Sequence, residues 1–150
     1  MEDDSGLHHQ LDRIMPTVGV GAMVLREGEV MLGRRKGAHG AGSYAWCGGG
    51  LEFGESLEDA VARELEQESG LLMTRAELFC VSNIRDYDRH YIDFEFIVEA
   101  TGQPANREPH KSEPWRWYPF DELPSPLFRP VEIALDSYRR RRSGEVIYNR

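Results

Sequence analysis

The sequence predicts a single mixed α/β domain of the α+β type, built from about five strands and two helices. Three observations support this fold class. Apolar runs of strand length recur along the chain, one central segment carries both a helix start signal and a helix stop signal, and a proline-rich stretch precedes a final helical segment. At 150 residues, the chain has the usual length of one domain.

The amino-terminal part of the chain is predicted to be a polar leader followed by a β-hairpin. Residues 1–15 are polar and show no sustained periodicity, so we expect a flexible leader and assign the domain to residues 16–150. Residues 18–25 form an apolar run typical of a buried strand. A turn at residues 26–28 then leads into a second strand at residues 30–34.

The central segment carries the strongest helix signals. It follows a glycine-rich loop that we expect over residues 37–42, which leads through residues 44–46 into the three glycines at 48–50. Ser56 followed three residues later by Asp59 is a capping-box pattern, and Gly70 is a typical carboxy-terminal stop. A helix is therefore predicted over about residues 57–69.

Three more strands and a second helix complete the predicted order. Residues 78–84 and 91–100 are predicted strands on either side of a polar turn, and residues 115–118 are a short fifth strand. Proline-rich punctuation then precedes a helix over roughly residues 131–142. The arginines at its end, 139–142, are interpreted as a solvated helix end that complements the helix dipole.

The composition excludes several classes of function. A formal net charge of −8 argues against holding polymeric nucleic acid, which needs a broad basic surface. The longest apolar runs are far shorter than the roughly 20 residues of a membrane helix, and the acidic amino terminus lacks a secretory signal pattern. We therefore expect a cytoplasmic protein with no membrane contact, in which Cys47 and Cys80 are free thiols.

Two glutamates on the predicted central helix indicate a metal site. Glu64 and Glu68 are four residues apart, which stacks their carboxylates on one helix face. Like charges at this spacing destabilise a bare helix, so a cationic partner is expected, and oxygen-preferring divalent ions, above all Mg²⁺, suit such a pair. Two glutamates alone usually form a solvated acidic face, so the surrounding residues decide.

The surrounding residues have the spacing of a known family motif. From residue 49 to residue 71 the chain resembles the Nudix box, whose pattern is Gly, five residues, Glu, seven residues, Arg-Glu-apolar, one residue, Glu-Glu, one residue, Gly-apolar, and it departs from this pattern at one fixed position. The matching residues are Gly49, Glu55, Arg63, Glu64, Leu65, Glu68, Gly70 and Leu71. The resemblance covers most of residues 17–138, which are similar to the MutT-like nucleotide hydrolases of plants and animals. It implies a mixed β-sheet sandwiched between α-helices.

The resemblance implies roles for the box residues. The carboxylates of Glu64 and Glu68 and the main-chain carbonyl of Gly49 would bind Mg²⁺, with Mn²⁺ as an alternative. Arg63 would hold a box carboxylate in a bidentate pair. Three residues of the box are expected to be structural: Glu55, Arg63 and Gly70.

One position departs from the family pattern. Gln67 stands where the family usually has the first glutamate of a Glu-Glu pair. Glutamine keeps an oxygen donor but loses the charge and cannot accept a proton at neutral pH. This leaves open fewer or weaker metal ions, a base elsewhere, reduced turnover, or a substitution made to trap a substrate. Because the carboxylates of Glu55, Glu64 and Glu68 are present, an enzyme is favoured.

The resemblance also implies a reaction, in which a metal-activated water attacks one phosphorus of a nucleoside diphosphate linked to a further group. A nucleoside triphosphate, modified or not, is the expected substrate, and monophosphate and pyrophosphate the products. Prenyl diphosphates and a pterin triphosphate are alternatives within the enzyme class, and a ligand-binding or regulatory module is the alternative outside it. Glu64 and Glu113 are the candidate general bases. Family members are often homodimers, which leaves a homodimer open here.

Candidate substrate-binding side chains flank the glycine-rich loop. Arg34 and Arg35 end the second predicted strand, so one of them is expected to reach phosphate, with a solvated strand end as the alternative for either. We expect no role for His39, with a phosphate contact as the alternative. Three aromatic residues are candidates for stacking on a base, with core packing as the alternative for each: Tyr44, Trp46 and Phe128.

Overall fold

A computed structural model describes residues 15–150 of the chain. Apart from Met15, the predicted leader lies outside the described residues. The strands are β1 (Thr17–Arg26), β2 (Glu29–Arg34), β3 (Tyr44–Ala45), β4 (Cys47–Gly50), β5 (Leu72–Asp86), β6 (Arg89–Thr101), β7 (Arg116–Pro119) and β8 (Ile147–Asn149). The helices are α1 (Leu57–Ser69), between β4 and β5, and α2 (Arg129–Arg140), between β7 and β8.

The described strands form one mixed sheet in the order β3-β2-β1-β6-β5-β8, with β4 also paired to β1 and β7 to β2. The β1–β6 and β5–β8 pairs are parallel, and the other pairs are antiparallel. Along the same edge, β1 pairs first with β4, at Gly19–Ala22, and then with β2, at Leu25 and Arg26. This pairing confirms the predicted hairpin and brings the glycine-rich β4 to the centre of the sheet.

Helix α1 has the bounds that the sequence predicts. The Ser56 hydroxyl accepts a hydrogen bond from the Asp59 amide at 3.0 Å, and Gly70 ends the helix in the left-handed conformation with φ 77°. The apolar side of α1 buries Val61 and Leu65 in one hydrophobic cluster with residues of β1 and β6. Helix α2 buries Val131, Ala134 and Leu135 in a second cluster. Both helices thus bury apolar side chains against the sheet, and this burial stabilises the fold. The predicted sandwich of a mixed sheet and helices is confirmed.

Several element bounds differ from the prediction. Helix α2 begins and ends two residues earlier, so Arg141 and Arg142 lie beyond it. Strand β5 begins at Leu72 rather than at residue 78, and it continues through two irregularities in its pairing with β6. Strands β3, β4 and β8 are not predicted, because each is only two to four residues long and depends on pairing with a distant strand.

Strand β4 shows why a glycine run is a strand here. A Cβ atom on Gly48 would come closer than 3.0 Å to the carbonyl oxygen of Val20 on β1. Only glycine allows the two backbones to approach so closely.

Cys47 and Cys80 are free and buried, as predicted. No helix among residues 15–150 combines the length and apolar character needed to cross a membrane.

Candidate active site

Arg63 holds the loop before α1 against the helix. Its Nε and Nη2 donate to the two carboxylate oxygens of Glu55 at 3.1 and 2.7 Å, and its Nη1 donates to Glu64 at 2.7 Å. Nη2 also donates to the carbonyl oxygen of Gly50 at 2.9 Å. Hydrogen bonding to Arg63 lowers the pKa of Glu55, so Glu55 stays ionised. The Arg63 fork therefore fixes β4, the loop and the first site carboxylate relative to one another.

The second carboxylate of the pair, Glu68, is half-buried and has no ion-pair partner among the described residues. Its Oε1 accepts a hydrogen bond from the amide of Gly48 at 2.9 Å. In the part of the chain that the structure describes, no arginine or lysine lies within ion-pair distance of Glu68. Burial, followed by the negative charge of Glu64, raises the pKa of Glu68 to about 8. Burial raises the pKa of Glu64 as well.

These carboxylates fit a divalent cation. A Cβ atom on Gly49 would collide with the Glu64 carboxyl group, so the main chain of β4 lies directly against this side chain. Within residues 15–150, no three His, Cys, Asp or Glu side chains converge closely enough to hold a metal ion by themselves. A cation held by Glu64 and Glu68 would therefore complete its shell with main-chain, water or substrate oxygens, as Mg²⁺ commonly does.

A further carboxylate, Glu108, was not a sequence candidate. Its negative charge raises the pKa of both Glu64 and Glu68, and it lines the same cavity. Lys111 forms an ion pair with Glu108 at 3.2 Å and also lines the cavity. Both residues lie in an irregular segment some forty positions after α1, where the sequence carries no local signal.

The carboxylates open into a cavity of about 660 Å³ between β1, β4 and β6. Three of the predicted substrate-binding residues line it: Arg35, Trp46 and Phe128. The guanidinium carbon of Arg35 lies 4.0 Å from the centre of the Phe128 ring, and Arg35 Nε donates to the carbonyl of His39 at 2.9 Å. His39, for which we expected no role, lies in the lining beside Phe128 with ring centres 5.8 Å apart.

Other sequence candidates lie outside the cavity lining. Arg34 and Glu113 face each other at 3.8 Å, and both side chains are about half exposed. The Tyr44 ring packs edge-on against Tyr118, with centres 6.1 Å apart. The exposed side chain of Gln67 receives only a long hydrogen bond, 3.5 Å, from Arg63.

The cavity also contains acidic residues that the sequence did not single out. Asp93 and Glu95 are buried on β6, and both line the cavity together with Tyr91. The available sequence signal was two acids at alternate positions within an otherwise apolar strand. Alternation of this kind places both side chains on one face of the strand.

Comparisons with known proteins agree with this geometry. The family model of the NUDIX domain matches residues 15–138. The chain is 30% identical over 131 residues to an ADP-ribose pyrophosphatase of Methanocaldococcus jannaschii, covering 86% of this chain and 76% of the relative. It is 31% identical over 116 residues to an 8-oxo-dGTP diphosphatase of Escherichia coli, covering 76% and 88%. The crystal structure of a MutT NUDIX hydrolase from Burkholderia pseudomallei superposes with a TM-score of 0.79 at 36% identity, covering 82% and 98%.

Proposed function

Because the chain belongs to the Nudix hydrolase family and is a pyrophosphohydrolase of the Nudix type, we propose that its substrate is a nucleoside triphosphate, modified or not. The proposed products are a nucleoside monophosphate and pyrophosphate. Two relatives support a nucleotide substrate by their names, an 8-oxo-dGTP diphosphatase and an ADP-ribose pyrophosphatase.

The observation that carries the proposal is the half-buried carboxylate of Glu68, which lies beside Glu64 in the large cavity and has no ion-pair partner among the described residues. Burying a carboxylate without a cation costs free energy, and a bound divalent ion removes this cost. Nudix hydrolases use divalent metal ions, and we propose Mg²⁺ held by Glu64, Glu68 and the carbonyl of Gly49. When bound, the ion supplies an activated water and neutralises charge on the diphosphate.

The protein's own groups orient this chemistry. Arg63 fixes the carboxylate of Glu64, and the amide of Gly48 fixes that of Glu68. We assign proton acceptance from the attacking water to Glu64, since it lines the cavity whereas Glu113 faces Arg34 outside it. Arg35 is the proposed phosphate ligand, because it lines the cavity.

The cavity lining also favours a nucleotide over the prenyl alternative. Asp93 and Glu95 are buried in the cavity lining, and an apolar tail in this cavity would leave Oδ2 of Asp93 without a hydrogen-bond partner. A pterin triphosphate carries a polar heterocycle and belongs in the substrate panel. The alternative of a binding module rests on Gln67, whose side chain lies outside the cavity.

The test is release of phosphate and pyrophosphate from a panel of nucleoside triphosphates, ADP-ribose, nucleotide sugars, a pterin triphosphate and prenyl diphosphates, with Mg²⁺ or Mn²⁺. Glu68→Gln is the site variant. Glu66→Gln is its matched control, because Glu66 is exposed on the same helix and lies outside the cavity lining. We expect pyrophosphate from a nucleoside triphosphate, lost in Glu68→Gln and kept in Glu66→Gln.

Turnover restricted to prenyl diphosphates would contradict the proposed substrate class. Binding of nucleotides without any product, in the parent chain and in Gln67→Glu, would instead establish a binding module.

A further inference from the structure

The parallel pairing of β1 with β6 sets two acids opposite two glycines. Gly19 is paired with Asp93, and Gly21 with Glu95. A Cβ atom on Gly21 would collide with the Glu95 carboxyl group, so the glycine provides the space in which this carboxyl lies over β1. The strand register thus holds both acids against the sheet, facing the cavity.

The hydrogen bonds of this pair are incomplete. Asp93 and Glu95 are 5% and 2% exposed. The indole nitrogen of Trp46 donates to Oε2 of Glu95 at 2.8 Å. Oδ2 of Asp93 is buried in the cavity lining without a hydrogen-bond partner. Buried polar atoms are rarely left unpaired, and those that are usually have a ligand or a functional reason.

The two carboxyls form a hydrogen-bonded pair. Burial raises the pKa of both, and the charge of Asp93 together with a hydrogen bond to it raises that of Glu95 further. Glu95 is thus engaged by both Trp46 and Asp93, whereas no hydrogen bond reaches Oδ2 of Asp93. A ligand that fits this atom must donate hydrogen bonds.

The Asp93 carboxyl group lies close to the proposed metal site. The position that a Cβ atom would occupy on Gly19 is 3.6 Å from Oδ1 of Asp93 and 3.8 Å from the carbonyl oxygen of Gly49. The hydroxyl of Tyr91, two residues before Asp93, is also buried and unpaired. A nucleotide with its phosphates at Gly49 would have its base within reach of both groups.

We propose that Asp93, supported by Glu95, recognises the base of the nucleotide by accepting hydrogen bonds from an edge with two adjacent N–H donors, as guanine presents at N1 and its 2-amino group. This inference rests on the proposed nucleotide substrate. Two parallel donors match a carboxylate in the same way as the fork of arginine does. Adenine and cytosine place an acceptor beside their amino group, and thymine places carbonyls on both sides of its single N–H, so each sets a lone pair against the carboxylate.

The test measures base recognition apart from catalysis, by calorimetric binding of dGMP, dIMP, dAMP and dTMP in EDTA. We expect dGMP to bind about 10- to 100-fold more tightly than dIMP, which lacks the 2-amino group. Asp93→Asn should bring this ratio close to one. The control Glu99→Gln, an exposed acid on the same strand, should leave it unchanged. Glu95→Gln keeps an acceptor for Trp46 and should lower the ratio of dGMP to dIMP affinity in part. This variant provides a second test if Asp93→Asn fails to fold.

Hydrolysis of the four corresponding deoxynucleoside triphosphates is measured in parallel. Failure of the base assignment can then be distinguished from failure of the proposed reaction. Equal binding of the four monophosphates, or a dGMP preference that survives Asp93→Asn, overturns the base assignment even if triphosphates are hydrolysed. A dGMP preference lost in Asp93→Asn, with no hydrolysis of any triphosphate, supports the base site and overturns the proposed reaction.

Discussion

The close contact between β4 and β1 makes Gly48 a sharp test of how the site is built. In Gly48→Ala the new methyl group would meet the Val20 carbonyl oxygen closer than 3.0 Å and the Gly21 Cα atom at 3.2 Å. Both atoms belong to backbone in the middle of the sheet, so they cannot rotate away. β4 must therefore move from β1, carrying with it Gly49 and the amide that binds Glu68.

Overpacking of this kind costs about 1 to 3 kcal/mol, which for a chain of this length lowers the melting temperature by about 2 to 12 °C. Gly50→Ala is the matched control on the same strand, because its Cβ would meet nothing within 4 Å. Its melting temperature should change little or rise by about 1 to 4 °C. Thermal unfolding by circular dichroism, with pyrophosphate release in parallel, measures both variants, and activity should fall in Gly48→Ala. Equal melting temperatures for the two variants would refute the argument from backbone approach.

The site carboxylates and Arg63 give the remaining predictions. In EDTA the melting temperature should fall as pH rises from about 4.5 to about 8. Below this range Glu68 is protonated in both the folded and the unfolded state. Within this range the unfolded state loses the proton first, which favours unfolding. Melting scans across this range should show a flatter slope for Glu68→Gln than for Glu66→Gln. At pH 8, saturating Mg²⁺ should raise the melting temperature of the parent chain but not of Glu68→Gln, and a thermal shift titration checks this. Gln67→Glu should lower the Mg²⁺ concentration that gives half-maximal turnover, because it adds a negative charge one turn from Glu64. An unchanged Mg²⁺ dependence would argue against a metal-binding role for this position. Lysine in Arg63→Lys cannot form the two-pronged hydrogen bond to Glu55, so kcat should fall by about 10- to 100-fold in initial-rate measurements. An effect on KM alone would instead indicate that Arg63 contacts the substrate.

The sequence by itself determined the position of helix α1 and the family to which the chain belongs. Three signals mark this helix: the cap at Ser56, the stop at Gly70 and the spacing of Glu64 and Glu68. Each of them by itself involves residues within about one turn. Signals of this range are written locally and survive without knowledge of the rest of the fold. The hairpin of β1 and β2 is local in the same way, since Glu27 and Gly28 provide its tight turn with positive φ.

Only the tertiary structure decided the composition of the cavity. Strand β4 has glycines because β1 passes close beside it, and the acids of β6 reach the cavity through their register with β1, more than seventy residues earlier. The sequence could not separate Arg34 from Arg35, because successive strand residues point to opposite faces and the sheet alone determines which face is covered. Local spacing thus specifies the metal-binding helix, whereas long-range strand pairing determines what else shares its cavity.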